Sequence, residues 1–149
     1  MDVYAKLKEL NLSLPKPPAK GGVYSPAKRF GGNLVYVSGC GPAVDGPVAG
    51  KLGKEFTVEQ GQECARNCML NVLAVLEAAI GDLNRVKNCV KLLVLVAGTD
   101  TFYEQPKVAN GASGLLAELF DDPPTRSAIG VNALPNNIPV EVEGIFEIE

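Results

Sequence analysis

The segment Ile138 to Ile148 constrains the fold more than any other. Val140, Val142, Phe146 and Ile148 alternate with Glu141, Glu143, Ile145, Glu147 and, just beyond, Glu149. A period of two puts the first set on one face of a β-strand and the second set on the other. Such a strand belongs to a sheet with one face against an apolar layer, and the chain supplies helices for that layer. Thr57-Val58-Glu59-Gln60 reads as a capping box. Val58, Ala65, Met69, Val72, Leu73, Leu76 and Ile80 then recur at helical spacing up to Gly81. A second helix is expected from Gln105 to Phe120, with Pro106 in its first turn and Asp122-Pro123-Pro124 after it.

The remaining strands are expected at Val23 to Phe30, Leu34 to Ser38, Val86 to Val96 and Thr125 to Asn132. Gly31-Gly32-Asn33 turns the first pair, a Gly- and Pro-rich loop runs from Gly39 to Phe56, and Ala133 to Asn137 joins the last two strands. The order β-β-α-β-α-β-β gives an α+β layer, not a doubly wound sheet. Residues 1–21 stand apart from the domain at residues 22–149. Val3, Leu7 and Leu10 share one side of a short helix, and Leu14-Pro15-Lys16-Pro17-Pro18 reads as an extended strap.

Two helices cover only one face. If the more apolar set of each strand takes that face, Ser127, Ile129 and Val131 point inward, and Arg126 and Glu141 project from the uncovered side. Alternate positions of the Val86 to Val96 strand put Val90, Leu92, Val94 and Val96 together and leave Leu93 and Leu95, with Ile145, on that same side. An apolar patch of this kind calls for a cover, so other subunits are expected there, with a cleft at the seam.

Composition narrows the chemistry. The 149 residues contain no histidine, which removes His-based triads and most catalytic zinc sites. Four cysteines are too few for a disulfide scaffold, and Cys64 and Cys68, one helical turn apart, lack partners for a zinc shell. A net charge of -3 argues against nucleic acid. The longest apolar run, Val90 to Ala97, is far too short to span a bilayer. No signal-peptide pattern opens at Met1, so a soluble, reduced, cytoplasmic protein is expected, without metal or cofactor. Ser38-Gly39-Cys40-Gly41-Pro42 has glycines but no helix to open after them, so it is not a dinucleotide loop; it lets backbone approach a small ligand.

Arg126 is the leading candidate for function, because its strand is otherwise small and apolar and a guanidinium fork matches a carboxylate. An ion pair to Glu141 or Glu143 at a subunit seam, or a solvated strand-end charge, explains it equally well. Glu141 cannot be told from Glu143 by pattern. Tyr24 and Tyr36 either line a cleft or pack.

Val23-Tyr24-Ser25-Pro26, Gly32 to Gly39, Thr125-Arg126-Ser127, Ala133-Leu134-Pro135 and Val140-Glu141-Val142-Glu143 together resemble the Rid group, the reactive intermediate deaminases also called YjgF-like proteins. The resemblance runs from about Gly22 to the C-terminus. It implies a chorismate-mutase-like fold: a single layer of mixed sheet with two helices on one face, assembled as a homotrimer with clefts between subunits. It implies hydrolysis of 2-imino acids, such as 2-iminopropanoate and 2-iminobutanoate, to 2-oxo acids and ammonia, as metabolite damage control. Arg126 matches the arginine that clamps the substrate carboxylate, and Glu141 the glutamate that positions or activates water. Tyr24 matches a cleft tyrosine, and Ser38 with Gly39 a backbone segment near the ligand. Ala128 falls where many members carry cysteine, so a backbone contact to the imine nitrogen survives there but a thiol does not. Cys40 stands where glutamine is common, and residues 1–21 exceed the usual start, which marks a divergent subgroup.

The alternative reading is a non-catalytic trimer that binds small carboxylates or a protein partner through Arg126 without needing Glu141. Ribonuclease activity fares poorly without histidine or a basic stripe. Chorismate mutase chemistry on a dianion would need more than the one well-placed arginine among Arg29, Arg66, Arg85 and Arg126.

Overall fold

The alternating C-terminal segment becomes the middle strand of a five-stranded sheet in the computed structural model, which describes residues 2–149. In chain order the elements are α1 (Val3–Glu9), β1 (Ala27–Phe30), β2 (Leu34–Cys40), α2 (Val58–Ile80), β3 (Val86–Ala97), α3 (Gln105–Phe120), β4 (Thr125–Val131) and β5 (Val140–Ile148). The strands lie in the order β1-β2-β5-β3-β4. Only β3 and β4 run parallel, because α3 carries the chain back between them.

One face of this mixed sheet packs on α2 and α3. Val35 and Val37 of β2, Leu92, Val94 and Val96 of β3, and Val140, Val142, Phe146 and Ile148 of β5 are buried there against Ala65, Met69, Val72, Leu73 and Leu76 of α2. The α2 capping box forms as expected: Thr57 Oγ1 accepts from the Gln60 amide at 3.2 Å, and Gln60 Oε1 accepts from the Thr57 amide at 2.9 Å. Gly81 ends the helix at a φ of 89°, where a side chain would be strained. The two helices touch backbone to backbone at Gly111, where a Cβ would overlap the Gln62 carbonyl. Gln62 Nε2 fastens the crossing by donating to the Lys107 carbonyl at 2.9 Å.

The other face of the sheet is left bare, as the faces of β5 require. Leu93, Leu95 and Ile145 lie half-buried on it, with Tyr36 and Ile129 exposed beside them.

Three expectations shift. First, β1 starts at Ala27 and not at Val23, and β2 continues through Gly39 to Cys40. Second, Val90 points outward at 40% exposure, because register breaks between Val86 and Asn88 and between Cys89 and Lys91 swing Cys89 inward. Third, the faces of β4 are reversed. Arg126, Ala128 and Gly130 pair with Leu92, Val94 and Val96 and face the helices, whereas Ile129 pairs with Leu95 on the bare side, 46% exposed. Both faces of β4 can be read as the inner one, so apolar content alone picks the wrong side.

The N-terminal segment is tied down. Asp2 caps α1, and Val3 and Leu7 are buried. The Val3 amide donates to Asn84 Oδ1 at 2.8 Å. The Tyr4 hydroxyl donates to Glu77 Oε1 at 2.8 Å and accepts from the Leu83 amide at 3.0 Å. The strap that follows, whose pattern begins at Leu14, then leads along the molecule to β1.

Candidate functional site

Four of the six residues singled out from the sequence line one cleft. It has a volume of about 500 Å³ and includes Tyr24, Ser38, Gly39 and Glu141 among its walls. A bulge in β2 builds it. Ser38 and Gly39 together stand opposite the single Glu143, between the pairs Val37–Gly144 and Cys40–Val142. The extra residue bends the strand and turns backbone toward the cleft. The glycine is required: a Cβ on Gly39 would overlap a Glu141 carboxylate oxygen and lie 2.9 Å from Cδ. Ser38 then pins the incoming segment, its amide donating to the Pro26 carbonyl at 2.9 Å and its hydroxyl to the Ser25 carbonyl at 2.7 Å. That segment carries Tyr24, whose hydroxyl accepts from the Gly21 amide at 3.1 Å.

Glu141 is distinguished from Glu143 by its surroundings. Burial first, and the neighbouring Glu143 second, raise its pKa above the usual carboxylate value. Glu143 is instead engaged at the surface, accepting from the Tyr36 hydroxyl at 2.9 Å. So Tyr24 lines the cleft, while Tyr36 stands on the bare face. The cleft wall also contains Cys40, whose thiol burial pushes up to about 12, with Glu141 adding to the shift. It is a neutral, apolar surface, not a nucleophile.

Arg126 and Ala128 are elsewhere. They sit on β4, the edge strand, separated from β5 by β3. Two strand spacings put about 10 Å between the β4 and β5 backbones. The Arg126 side chain reaches α3, where its Nη1 donates to Asn110 Oδ1 at 2.7 Å and to Ser113 Oγ at 2.9 Å. This overturns the expectation that Arg126 and Glu141 project from the same bare face. Among the described residues no carboxylate pairs with Arg126. Nη1 is thus occupied by neutral acceptors, and its charge is not neutralised.

Two contributors escaped the sequence reading. Asn71, 2% exposed in α2, donates through Nδ2 to the carbonyls of Gly41 and Ala43, both at 2.9 Å, and so fixes the loop leaving the bulge. Its signal was available, as a polar residue between Leu70 and Val72 on an apolar helix. The strap residues Pro18, Ala19, Lys20 and Gly21 form a cleft wall, with Lys20 its one cation among the described residues. No local pattern announces where a strap will lie.

Comparison with known proteins agrees with this geometry. Protein TCP17 of Trypanosoma cruzi is 41% identical over 151 residues, covering 98% of this chain and 94% of that one. A 2-iminobutanoate/2-iminopropanoate deaminase of Dermatophagoides farinae is 31% identical, covering 93% and 95% of the two chains. A solved structure of a protein of unknown function from Agrobacterium tumefaciens superposes with a TM-score of 0.90 at 38% identity, covering 99% of this chain and 92% of that one. Residues 5–139 match the family described as "YjgF/chorismate_mutase-like, putative endoribonuclease". With one sheet layer, two helices on one face and a family match along nearly its whole length, the chain belongs to the YjgF/chorismate mutase-like family.

Proposed function

We propose that this protein hydrolyses 2-imino acids, such as 2-iminopropanoate and 2-iminobutanoate, to 2-oxo acids and ammonia. The observation that carries the reading is the Glu141 carboxyl, raised in pKa and packed on the Gly39 bulge inside a cleft. A relative named for this activity supports it. An imine carbon is already electrophilic, so the enzyme needs to position water and move protons more than to activate the substrate. Glu141 holds the water and takes a proton from it as its oxygen bonds to C2 and the C=N π pair moves to nitrogen, then gives that proton to the nitrogen to form the carbinolamine. Glu141 next takes the carbinolamine's hydroxyl proton as the C=O bond forms and the C–N bond breaks, and passes it to the departing nitrogen. Ammonia leaves with the 2-oxo acid, and the carboxylate is restored.

Arg126 clamps the substrate carboxylate in this scheme, and the backbone at Ala128 contacts the nitrogen. Within one chain they lie on the far side of β3 from Glu141, so the reading requires a second copy to bring its β4 edge to the cleft. The bare apolar face and the unneutralised Arg126 support a closed homotrimer of that kind.

The test generates imines with an amino-acid oxidase and follows their loss by semicarbazide trapping. Glu141→Gln is expected to lower hydrolysis about 10²- to 10⁴-fold, the range of a lost general acid–base, while 2-oxo acid binding persists. Unchanged imine loss on adding the wild-type protein rejects the enzyme. In that case the remaining reading is a carboxylate binder that uses Arg126 without needing Glu141.

A further inference from the structure

The cleft does not end at Val75. A second depression of about 300 Å³ adjoins it, sharing Pro18, Pro26 and Val75. Every residue lining this second space is apolar: besides the shared three it has Pro17, Ala27, Ala78 and Ala79. Its walls come from three parts of one chain, the proline strap, the start of β1 and the last turn of α2. The strap forms one side, and the alanines of α2 leave the room. The cleft wall also offers the neutral thiol of Cys40 and the Val75 side chain, and Lys20 is its one cation among the described residues.

We infer that the second depression receives the side chain of the substrate, and that this chain selects 2-imino acids with branched or long apolar side chains over the three- and four-carbon ones. The inference rests on the imine-hydrolase reading for its chemistry and for the ligand's orientation, and on the adjoining apolar depression for its selectivity. With the carboxylate taken at the mouth by a neighbouring copy and C2 at Glu141, the side chain runs inward past Val75. In this orientation a 2-methylpropyl group extends further toward the apolar lining than a methyl or ethyl group does, and gains more from leaving water there. Each methylene so placed is worth on the order of ten-fold in discrimination.

The experiment compares kcat/KM for 2-imino-4-methylpentanoate and 2-iminopropanoate, each made by oxidase from its amino acid. Calorimetry with the corresponding 2-oxo acids gives a second, non-catalytic readout. Wild type is expected to favour the branched substrate by about ten-fold or more, and the branched 2-oxo acid to bind tighter in the same sense. Ala78→Phe fills the space from an exposed helix position, so the core is untouched. It should collapse both ratios toward one, with the thermal midpoint confirming the fold. Equal or reversed preference in wild type, or ratios that Ala78→Phe leaves alone, overturns the inference. If neither imine is turned over, the hydrolase reading fails, and the two binding ratios still decide whether the space takes an apolar side chain.

Discussion

Two regions of the sheet are built on opposite principles. At the β2–β5 side, a bulge, a glycine and a raised carboxyl are locked together within one chain, and the cleft is shaped before any ligand arrives. At the β4 edge, Arg126 is held by neutral groups of α3, and nothing acidic in the same chain answers its charge. One side is a carboxyl held in a cleft, and the other a guanidinium with only neutral partners. The contrast teaches that one chain holds its half-buried carboxyl and its unpaired guanidinium on opposite faces of the sheet, and on the proposed reading only a second copy brings the two together.

Mixing experiments break this comparison most directly. Arg126→Ala and Glu141→Gln should each cost about 10²- to 10⁴-fold in imine hydrolysis. Refolded together in equal amounts, they should recover about a quarter of wild-type activity, because a closed ring pairs the intact Glu141 of one chain with the intact Arg126 of another. A self-contained site recovers nothing. Gly39→Ala sharpens the first half of the contrast. Its Cβ displaces the Glu141 carboxylate and not the fold, so kcat should fall about 10- to 100-fold with little change in thermal midpoint. Asn71→Ala tests the loop beside the bulge and should cost roughly 1–3 kcal/mol in denaturant unfolding, since two carbonyls lose their buried donor.

The smallest effect is one of pH. Because the folded chain holds the Glu141 proton more tightly than the unfolded chain does, folding is favoured below the folded pKa. Stability then declines as pH rises from the ordinary carboxylate value through the raised one. Glu141→Gln should flatten that portion of the stability curve, and a slope that stays the same would assign it to another carboxyl.

Much of the fold was legible because its signals are periodic. The capping box at Thr57, the stop at Gly81 and the alternation of β5 each fix an element by local chemistry, and each appears as read. Glu141 and its cleft partners Tyr24, Ser38 and Gly39 came together where the resemblance implied, although no pattern separates Glu141 from Glu143. The difference between those two is tertiary: one lies against Gly39, and the other is taken by Tyr36. Arg126 was legible as the one charge on a small and apolar strand but not as placed. Its orientation depends on β4 pairing in register with β3, and on Asn110 and Ser113 of α3 making the inner side polar enough for a guanidinium. A strand with apolar groups on both sides carries no internal mark of which is which. The outward Val90 fails for a related reason, since a register break leaves no trace in composition.

The contact at Gly111 has a mechanical consequence. At Gly111 no side chain separates α2 from α3, main chain lies against main chain, and Gln62 bolts the joint. Sliding one helix past the other at this point would drive main chain into main chain, so the joint resists shear more than a side-chain contact would. The proline-rich strap is fastened differently, at its ends by Tyr4 and Ser38.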